Sequence, residues 1–230
     1  MYSKGILTEE QIGRPLPFGD AEGMLEMIRL AATREGFGDQ IAQGSWRLAD
    51  RYRHPEMSVT AKKLEFPSYD ARGLKGMGLL YATSNIGASH MAGDTAYTEL
   101  FGTGVKTDGL TYEGKAALVK HFQDIFALMD AAGLCVFVAL RYLLDTLNGY
   151  VPTRLTEIMR TATGVDFTQE SLLQAAERVY TLERLFLTKA GVTRQDDDLA
   201  PRMREPKRGS FSRPPRICAT RLITCAARSG

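Results

Sequence analysis

Two residues that could carry out chemistry stand out in this 230-residue chain, a cysteine and a histidine. Cys135 lies in the sequence DAAGLCVF, and His90 directly follows a glycine-rich segment. A thiolate is a nucleophile and a metal ligand, whereas an imidazole titrates near neutral pH and can transfer protons. Each also has a purely structural interpretation, because a lone cysteine in an apolar run is commonly a small buried hydrophobic residue. Both interpretations stay open at this point.

The composition is that of an ordinary globular protein, with 44% hydrophobic and 24% charged residues. No apolar run reaches the roughly 18 residues that a membrane helix needs. The opening sequence MYSKGILTEEQIG lacks an apolar signal core and predicts a cytoplasmic protein. Three cysteines do not make a disulfide framework.

The charge of the chain is concentrated in its last 30 residues. This segment contains eight Lys and Arg residues and one acidic residue, so its net charge is +7, whereas the net charge of the whole chain is +2. Its Pro, Arg and Ser content without periodicity predicts a basic, disordered tail over residues 207–230. Cys218 and Cys225 lie in this tail. Nothing in it matches a module that reads nucleic acid, so we expect no nucleic-acid partner.

Residues 1–206 show one amphipathic helical pattern after another, which predicts an all-α fold with several packed helices in one or two helical subdomains. The first helix should begin after Asp20 as its N-cap and end near Gly36 and Gly38. The further predicted helical runs cover residues 39–52, residues 112–147 with a break near Gly133, residues 151–164 beginning near Pro152, and residues 168–191.

Two of these helices carry apolar stripes that should face the core. In the first helix the stripe consists of Met24, Met27, Ile28 and Ala31. In the last helix the predicted inward positions are Leu172, Ala176, Val179, Leu182 and Phe186.

Residues 64–93 form an unusual segment with glycines at positions 73, 76, 78 and 87. A glycine inside a helix costs about 1 kcal/mol relative to alanine. Such a cost is accepted where the backbone must come close to another part of the protein or to a bulky ligand. The pattern therefore indicates either tight helix packing or a ligand-facing segment, with His90 directly after it.

Three motifs, in this order, resemble the C-terminal helical domains of the tungsten-containing aldehyde ferredoxin oxidoreductases. They are EFPSYDARGLKGMGLLYATSNIGASH, then DAAGLC, then AAERVYTLERLFLTKAGVTRQDDDLAPRM. The resemblance runs from about residue 1 to Pro206. It implies an oxidoreductase that converts aldehydes to carboxylic acids at a tungsten or molybdenum bis-pterin centre. The electrons would leave through a 4Fe–4S cluster to ferredoxin.

The resemblance also implies roles for individual residues. In the family, a D-x-x-G-L-C motif contacts a pterin and supplies the fourth cysteine of the cluster. Asp130, Gly133, Leu134 and Cys135 match it and are the predicted cofactor-binding residues, with Cys135 as the metal ligand. His90 matches a histidine close to the tungsten and is the predicted catalytic proton donor. The common form of that stretch is R-G-A-C-H, where this chain has residues 86–90 as IGASH.

Other parts of the family pattern are not found in this sequence. The other three cluster cysteines, in a C-x-x-C-x-x-x-C motif, and a β-rich domain lie upstream in the family. We therefore expect an N-terminal half on another chain or reading frame, with Met1 as an internal start and a frameshift near Pro206 producing the basic tail. Asp70 and Arg72 should be an ion-paired scaffold. The alternative is a non-enzymatic helical remnant or interaction module that keeps the fold without cofactor.

Overall fold

A computed structural model describes residues 1–137 and 153–205. These residues fold mainly into α-helices, which confirms the predicted all-α class. The helices are α1 (Glu9–Ile12), α2 (Ala21–Thr33), α3 (Phe37–Ile41), α4 (Ser45–Arg51), α5 (Lys75–Thr83), α6 (Ala96–Phe101), α7 (Lys115–Ala131), α8 (Thr153–Thr163) and α9 (Gln169–Lys189). A hairpin pairs β1 (Thr60–Ala61) with the antiparallel β2 (Leu64–Glu65). Single 3-10 turns cover Tyr2–Lys4, Pro55–Met57, His90–Ala92, Arg194–Asp196 and Pro201–Arg204.

Several predictions fall outside the described residues. These are residues 138–147 of the long run, the helix start near Pro152, and the tail over 207–230 with Cys218 and Cys225. Within the two described ranges, no helix combines the length and the apolar character that crossing a bilayer requires.

The N-terminal helices begin and end close to the predicted positions. The Asp20 carboxylate accepts a hydrogen bond from the Gly23 N–H at 2.9 Å and caps α2. The helix ends at Arg34 with φ 62°, before the predicted glycines. Gly38 instead lets α3 approach α2, since a Cβ there would lie 2.2 Å from the Leu30 carbonyl carbon. The run predicted as one helix over 39–52 is two, because Gly44 with φ 92° separates α3 from α4.

The apolar stripe of α2 is only partly buried, so this part of the prediction is wrong. Met27 joins a small core with Leu7, Ile12 and Phe37. Met24 and Ile28 remain 56% and 58% exposed. They line a surface groove of 740 Å³ instead of facing the core.

The central helix α5 is buried from Lys75 to Ala82 and organises the main hydrophobic core. Met77, Leu80 and Tyr81 are fully buried there. The core also takes in Leu199 and Met203 from the chain's last described segment. Because the backbone of α5 is surrounded on all sides, its glycines lie against protein atoms, as tight packing predicts.

Helix α7 packs against both α9 and α5. The first half of α9 follows the predicted pattern, with Leu172 and Ala176 fully buried against Leu128 of α7. The second half does not, because Leu182 and Phe186 are 65% and 72% exposed. Their predicted inward orientation is therefore wrong.

Candidate functional site

The DAAGLC sequence forms the end of α7. Gly133 adopts φ 68°, and its N–H donates to the Asp130 carbonyl at 3.0 Å. The Leu134 N–H donates to the Met129 carbonyl at 2.9 Å, which completes a Schellman motif. Leu134 packs on the same apolar cluster as Met129, the hydrophobic contact that accompanies this motif. Asp130, Gly133 and Leu134 therefore occupy positions of the Schellman motif that ends α7.

Cys135 is an exposed free thiol directly after this turn. Its neighbours Leu134 and Val136 pack inward on the apolar cluster around Phe122 and Phe126. The alternation places Cys135 on the outer side, where a bound group can reach its sulfur. The interpretation of Cys135 as a buried space-filling residue is therefore wrong.

Asp130 lies on the last turn of α7 and is exposed as a residue. Partial burial of its carboxyl group raises its pKa, and charge repulsion by Glu183 of α9 raises it further. Among the described residues, neither Asp130 nor Glu183 forms a salt bridge.

His90 begins a 3-10 turn that follows α5 and is half-buried. The Ser89 hydroxyl accepts a hydrogen bond from the Met91 N–H at 3.1 Å and fixes the start of the turn. The Tyr69 ring meets the imidazole in a T-shaped contact with the ring centroids 5.5 Å apart. Burial raises the pKa of the nearby Asp94, whereas the Ala96 N–H and the charge of His90 act in the opposite direction.

The turn that carries His90 is pressed against the backbone of α7. Gly93 has φ 135°, and a Cβ there would lie 3.0 Å from the Gln123 nitrogen and 3.2 Å from the Phe122 carbonyl carbon. Asp130 follows Gln123 by seven residues, which is about 10 Å along a helix. Gly93, which follows the turn that contains His90, thus touches α7 about two helical turns before Asp130.

The segment leading to His90 is held by protein contacts. The Arg72 guanidinium forms a bidentate pair with Asp70, with distances of 2.7 and 2.9 Å, in agreement with the predicted scaffold role. Gly87 has φ 96°, and a Cβ there would lie only 2.5 Å from the Ala61 carbonyl oxygen of the hairpin. At Arg72 and at Gly87 the close contacts are therefore made by other atoms of this chain.

Sequence reasoning missed Asn85 and Glu183 as residues that connect the motifs. The Asn85 amide nitrogen donates to the Glu183 carboxylate at 3.1 Å and to the Tyr180 carbonyl at 3.3 Å. The Tyr180 hydroxyl donates to the Thr83 carbonyl at 3.2 Å. Residues 85 and 183 are too far apart in the chain for any local sequence pattern to predict this contact.

The acidic third motif is mainly structural. Asp197 is buried and accepts from the Arg184 guanidinium at 2.9 Å, while the Lys62 ammonium lies 2.8 Å from the same carboxylate. Lys62 also donates to the Ala82 carbonyl at 2.6 Å. This cluster ties the hairpin and α9 to the end of α5.

The described residues can supply one ligand of a metal site but not a complete set of ligands. Within 1–137 and 153–205, no three His, Cys, Asp or Glu side chains come together to hold a metal ion. An iron–sulfur cluster takes four thiolates, and Cys135 can offer one. Two surface grooves, one lined by Met24 and Ile28 and the other by Arg160 and Asp166, contain none of the predicted site residues.

The described residues thus form a buried helical core with an exposed thiol and an exposed carboxylate at the end of one helix. The sequence profile described as aldehyde ferredoxin oxidoreductase, domains 2 & 3, matches residues 1–216. The chain therefore belongs to the aldehyde ferredoxin oxidoreductase family, a family of oxidoreductases. The match extends past the boundary predicted at residue 206.

Curated relatives agree with this assignment. The chain is 41% identical over 205 residues to a tungsten-containing aldehyde ferredoxin oxidoreductase of Pyrococcus furiosus, covering 88% of this chain and 33% of that protein. A protein of the same name from Thermococcus kodakarensis is 38% identical with the same coverage. An aliphatic sulfonate oxidoreductase, WOR-like subunit, of Pyrococcus furiosus is 27% identical over 215 residues, covering 90% of this chain and 31% of that one. The chain thus spans about a third of the length of these relatives.

The fold also resembles a solved structure, the active site complex BamBC of benzoyl coenzyme A reductase in complex with 1,5-dienoyl-CoA. The TM-score is 0.67 at 18% sequence identity, covering 99% of this chain and 38% of that one. At this identity the likeness shows a shared fold alone.

Proposed function

We propose that this chain is the helical part of an enzyme that oxidises aldehydes to carboxylic acids with a tungsten or molybdenum bis-pterin centre. In this proposal a 4Fe–4S cluster passes the electrons on to ferredoxin. One observation carries it: the Schellman turn at Gly133 buries Leu134 and leaves Cys135 and Asp130 exposed at the same helix end. Exposed polar groups on a rigid helix end are suited to contact a bound group.

Cys135 is the proposed cluster ligand, because a thiolate is what iron takes in such clusters. Asp130 is the proposed pterin contact, because a carboxylate accepts hydrogen bonds from ring N–H donors. Gly133 and Leu134 act through the turn, which fixes the direction of both side chains. The bound metal centre would supply the two-electron redox chemistry.

His90 is the proposed catalytic residue that holds or moves a proton. Its ring is fixed by the Tyr69 contact and by the Ser89-capped turn, so the imidazole has a defined orientation. A positioned acid or base of this type contributes roughly 10²–10⁴-fold to a rate. The residue is half-buried and so not closed off from solvent.

A second polypeptide is part of the proposal, because Cys135 offers one thiolate and the relatives are about three times longer. This partner would bring the remaining cluster cysteines and would enclose the bis-pterin. Without it, the chain is expected to be inactive. The alternative is a helical remnant without cofactor. Unlike the enzyme, it would not form a metal-containing complex with that partner.

The test is to co-express the full chain with a polypeptide that supplies the other two thirds of the Pyrococcus furiosus relative. We expect a complex that contains iron and tungsten and reduces a redox dye when an aldehyde is added. Cys135→Ser should lose iron, whereas Cys218→Ser, a matched cysteine control, should not. A stable complex with no metal, or no complex at all, would favour the helical remnant.

A further inference from the structure

Helix α2 is apolar over a wider arc than its contacts within this chain use. With about 100° per residue, its apolar side chains span about 220°, whereas a helix that packs on one core needs an apolar face of about 100°. Met27 and Leu30 pack against the small core of the first helices. Met24, Leu25 and Ile28 extend the arc and are each more than half exposed. A helix with so wide an apolar face is typical of one covered by protein on two sides, and the described part of this chain covers one.

The exposed part of this face forms one wall of an apolar groove of 740 Å³. The segment before α2 forms the other wall with Leu16, Pro17 and Phe18, and the Phe18 side chain is fully exposed. Asp20 is the one charged residue among the described lining residues, and it is already paired with Arg14 at 2.8 Å. Contiguous exposed apolar surface of this kind marks an interaction site, and the lining favours apolar side chains over a charged small molecule.

The part of the chain that carries the groove has a very small core. The buried apolar cluster among residues 1–57 consists of Leu7, Ile12, Met27 and Phe37. A unit of about 60 residues buries too little surface to be more than marginally stable. Its main contacts with the rest of the described chain are those of α4 with β2 and of the Pro55–Met57 turn with the Pro201–Arg204 turn, and neither involves α2. Apolar side chains from a second polypeptide in the groove would enlarge this core.

The curated relatives contain enough additional chain to cover the groove. About two thirds of each tungsten-containing relative lies outside its match to this chain. The matching profile is described as domains 2 & 3, a numbering that implies a first domain outside it. Helix α2 lies inside the matched residues 1–216, so the helix with the wide apolar face belongs to the family region of this chain.

We propose that the groove lined by Phe18, Met24 and Ile28 is the docking surface for the second polypeptide of the proposed function. The inference rests on the proposed function, because it takes this polypeptide from there, and it adds the surface that the polypeptide binds. The second polypeptide inserts apolar side chains between α2 and residues 16–18, which buries Phe18 and completes the core of the first helices. The groove contains none of the proposed site residues, so docking can be measured separately from cofactor binding.

The first test measures binding of the full chain to the polypeptide that supplies the other two thirds of the Pyrococcus furiosus relative. Ile28→Lys places a charge in the groove, and the dissociation constant should rise at least about 10-fold because the complex would bury that charge without a partner. Leu182→Lys on α9 is the matched control and should bind as wild type. Ile28 and Leu182 are 58% and 65% exposed, so circular dichroism of both free variants should match that of the wild-type chain.

A cysteine footprint supplies a second measurement that does not depend on weakened binding. Met24 lines the groove and is exposed, so the thiol introduced by Met24→Cys should react with a maleimide in the free chain. In the complex this labelling should be lost, because the second polypeptide covers the position. Mass spectrometry of the peptide that contains residue 24 separates this thiol from the three natural cysteines.

The outcomes separate this inference from the proposed function. A complex without metal, in which Ile28→Lys still weakens binding, would overturn the proposed function and support the docking surface. A metal-containing complex that forms equally well with Ile28→Lys, and in which the introduced thiol stays reactive, would overturn the inference alone. No complex at all would overturn both. A thiol already protected in the free chain, or a free-chain dimer that Ile28→Lys dissociates, would mean that this chain or a second copy fills the groove, which also overturns the inference.

Discussion

Lys115 and Glu99 form an ion pair in the interior, with 3.0 Å between Nζ and Oε1 and both side chains fully buried. The same carboxylate accepts hydrogen bonds from the Gly76 N–H at 2.8 Å, the Met77 N–H at 3.0 Å and the Thr95 hydroxyl at 2.9 Å. One side chain of α6 thus holds the first turns of α5 and α7 together. The position of the segment that ends at His90 depends on this junction.

Lys115→Met is expected to destabilise the chain by about 3–5 kcal/mol, because it leaves the Glu99 charge buried without a cation. Urea unfolding followed by circular dichroism measures the loss. Lys120→Met is the control, since Lys120 is 59% exposed and its pairs with Asp124 and Glu177 should contribute at most about 1 kcal/mol. Similar losses in the two variants would contradict a special role for the buried pair.

Gly76→Ala and Gly78→Ala lie two residues apart in α5 and should have different effects. At Gly76 a Cβ would lie 2.7 Å from the Glu99 carboxylate, which cannot move because its hydrogen bonds hold it. At Gly78 the nearest atom would be 3.4 Å away, an ordinary contact. We expect Gly76→Ala to destabilise the chain and Gly78→Ala to be neutral or to stabilise it by up to about 1 kcal/mol. Thermal unfolding of the two variants measures this difference. If Gly76→Ala is as stable as wild type, the packing between Gly76 and Glu99 is not tight.

Local signals were enough to predict several ends of the longer helices. Asp20 and Thr168 cap their helices through side-chain oxygens; Asp20 was predicted as an N-cap, and Thr168 as the residue at which the last helical run begins. Gly133 and Gly164 end helices with positive φ, as predicted. These features depend on a few neighbouring residues, so the sequence contains all the information that they need.

Burial and long-range contacts could not be predicted in the same way. Leu182 and Phe186 continue the apolar period of α9, yet they are exposed because burial depends on what packs against a helix and not on its own pattern. Asn85 has no recognisable sequence signal, and only the fold brings it to Glu183. The exposed state of Cys135 likewise follows from the turn at Gly133, which directs Leu134 inward.

Cys135 should react with a thiol reagent such as a maleimide in the folded chain, since its side chain is exposed. The measurement is mass-spectrometric labelling in a Cys218→Ser, Cys225→Ser background, so that only one thiol can react. Labelling before and after unfolding should differ little in extent. Protection in the folded chain, released by denaturant, would restore the buried interpretation and remove the structural basis for a cluster ligand.

Asp130→Asn should raise stability at neutral pH and leave it unchanged near pH 3. Partial burial and repulsion by Glu183 raise the pKa of Asp130 in the folded chain. The folded chain therefore binds this proton more tightly than the unfolded chain does. Stability falls as the pH rises from the unfolded pKa of about 3.9 through the folded pKa, and asparagine avoids this loss. Melting temperatures between pH 3 and pH 8 measure the difference.

Asp196→Asn is the control with the opposite sign, because the Thr193 N–H lowers the pKa of Asp196. Its carboxylate contributes stability above the unfolded pKa, and the variant should melt lower at neutral pH. In a Glu183→Gln background the gain from Asp130→Asn should shrink, since the repulsion is already removed. A charged group that costs stability in the free chain is typical of a binding residue. If Asp130→Asn lowers the melting temperature at neutral pH, Asp130 supports the fold, and its proposed role in holding the pterin is wrong.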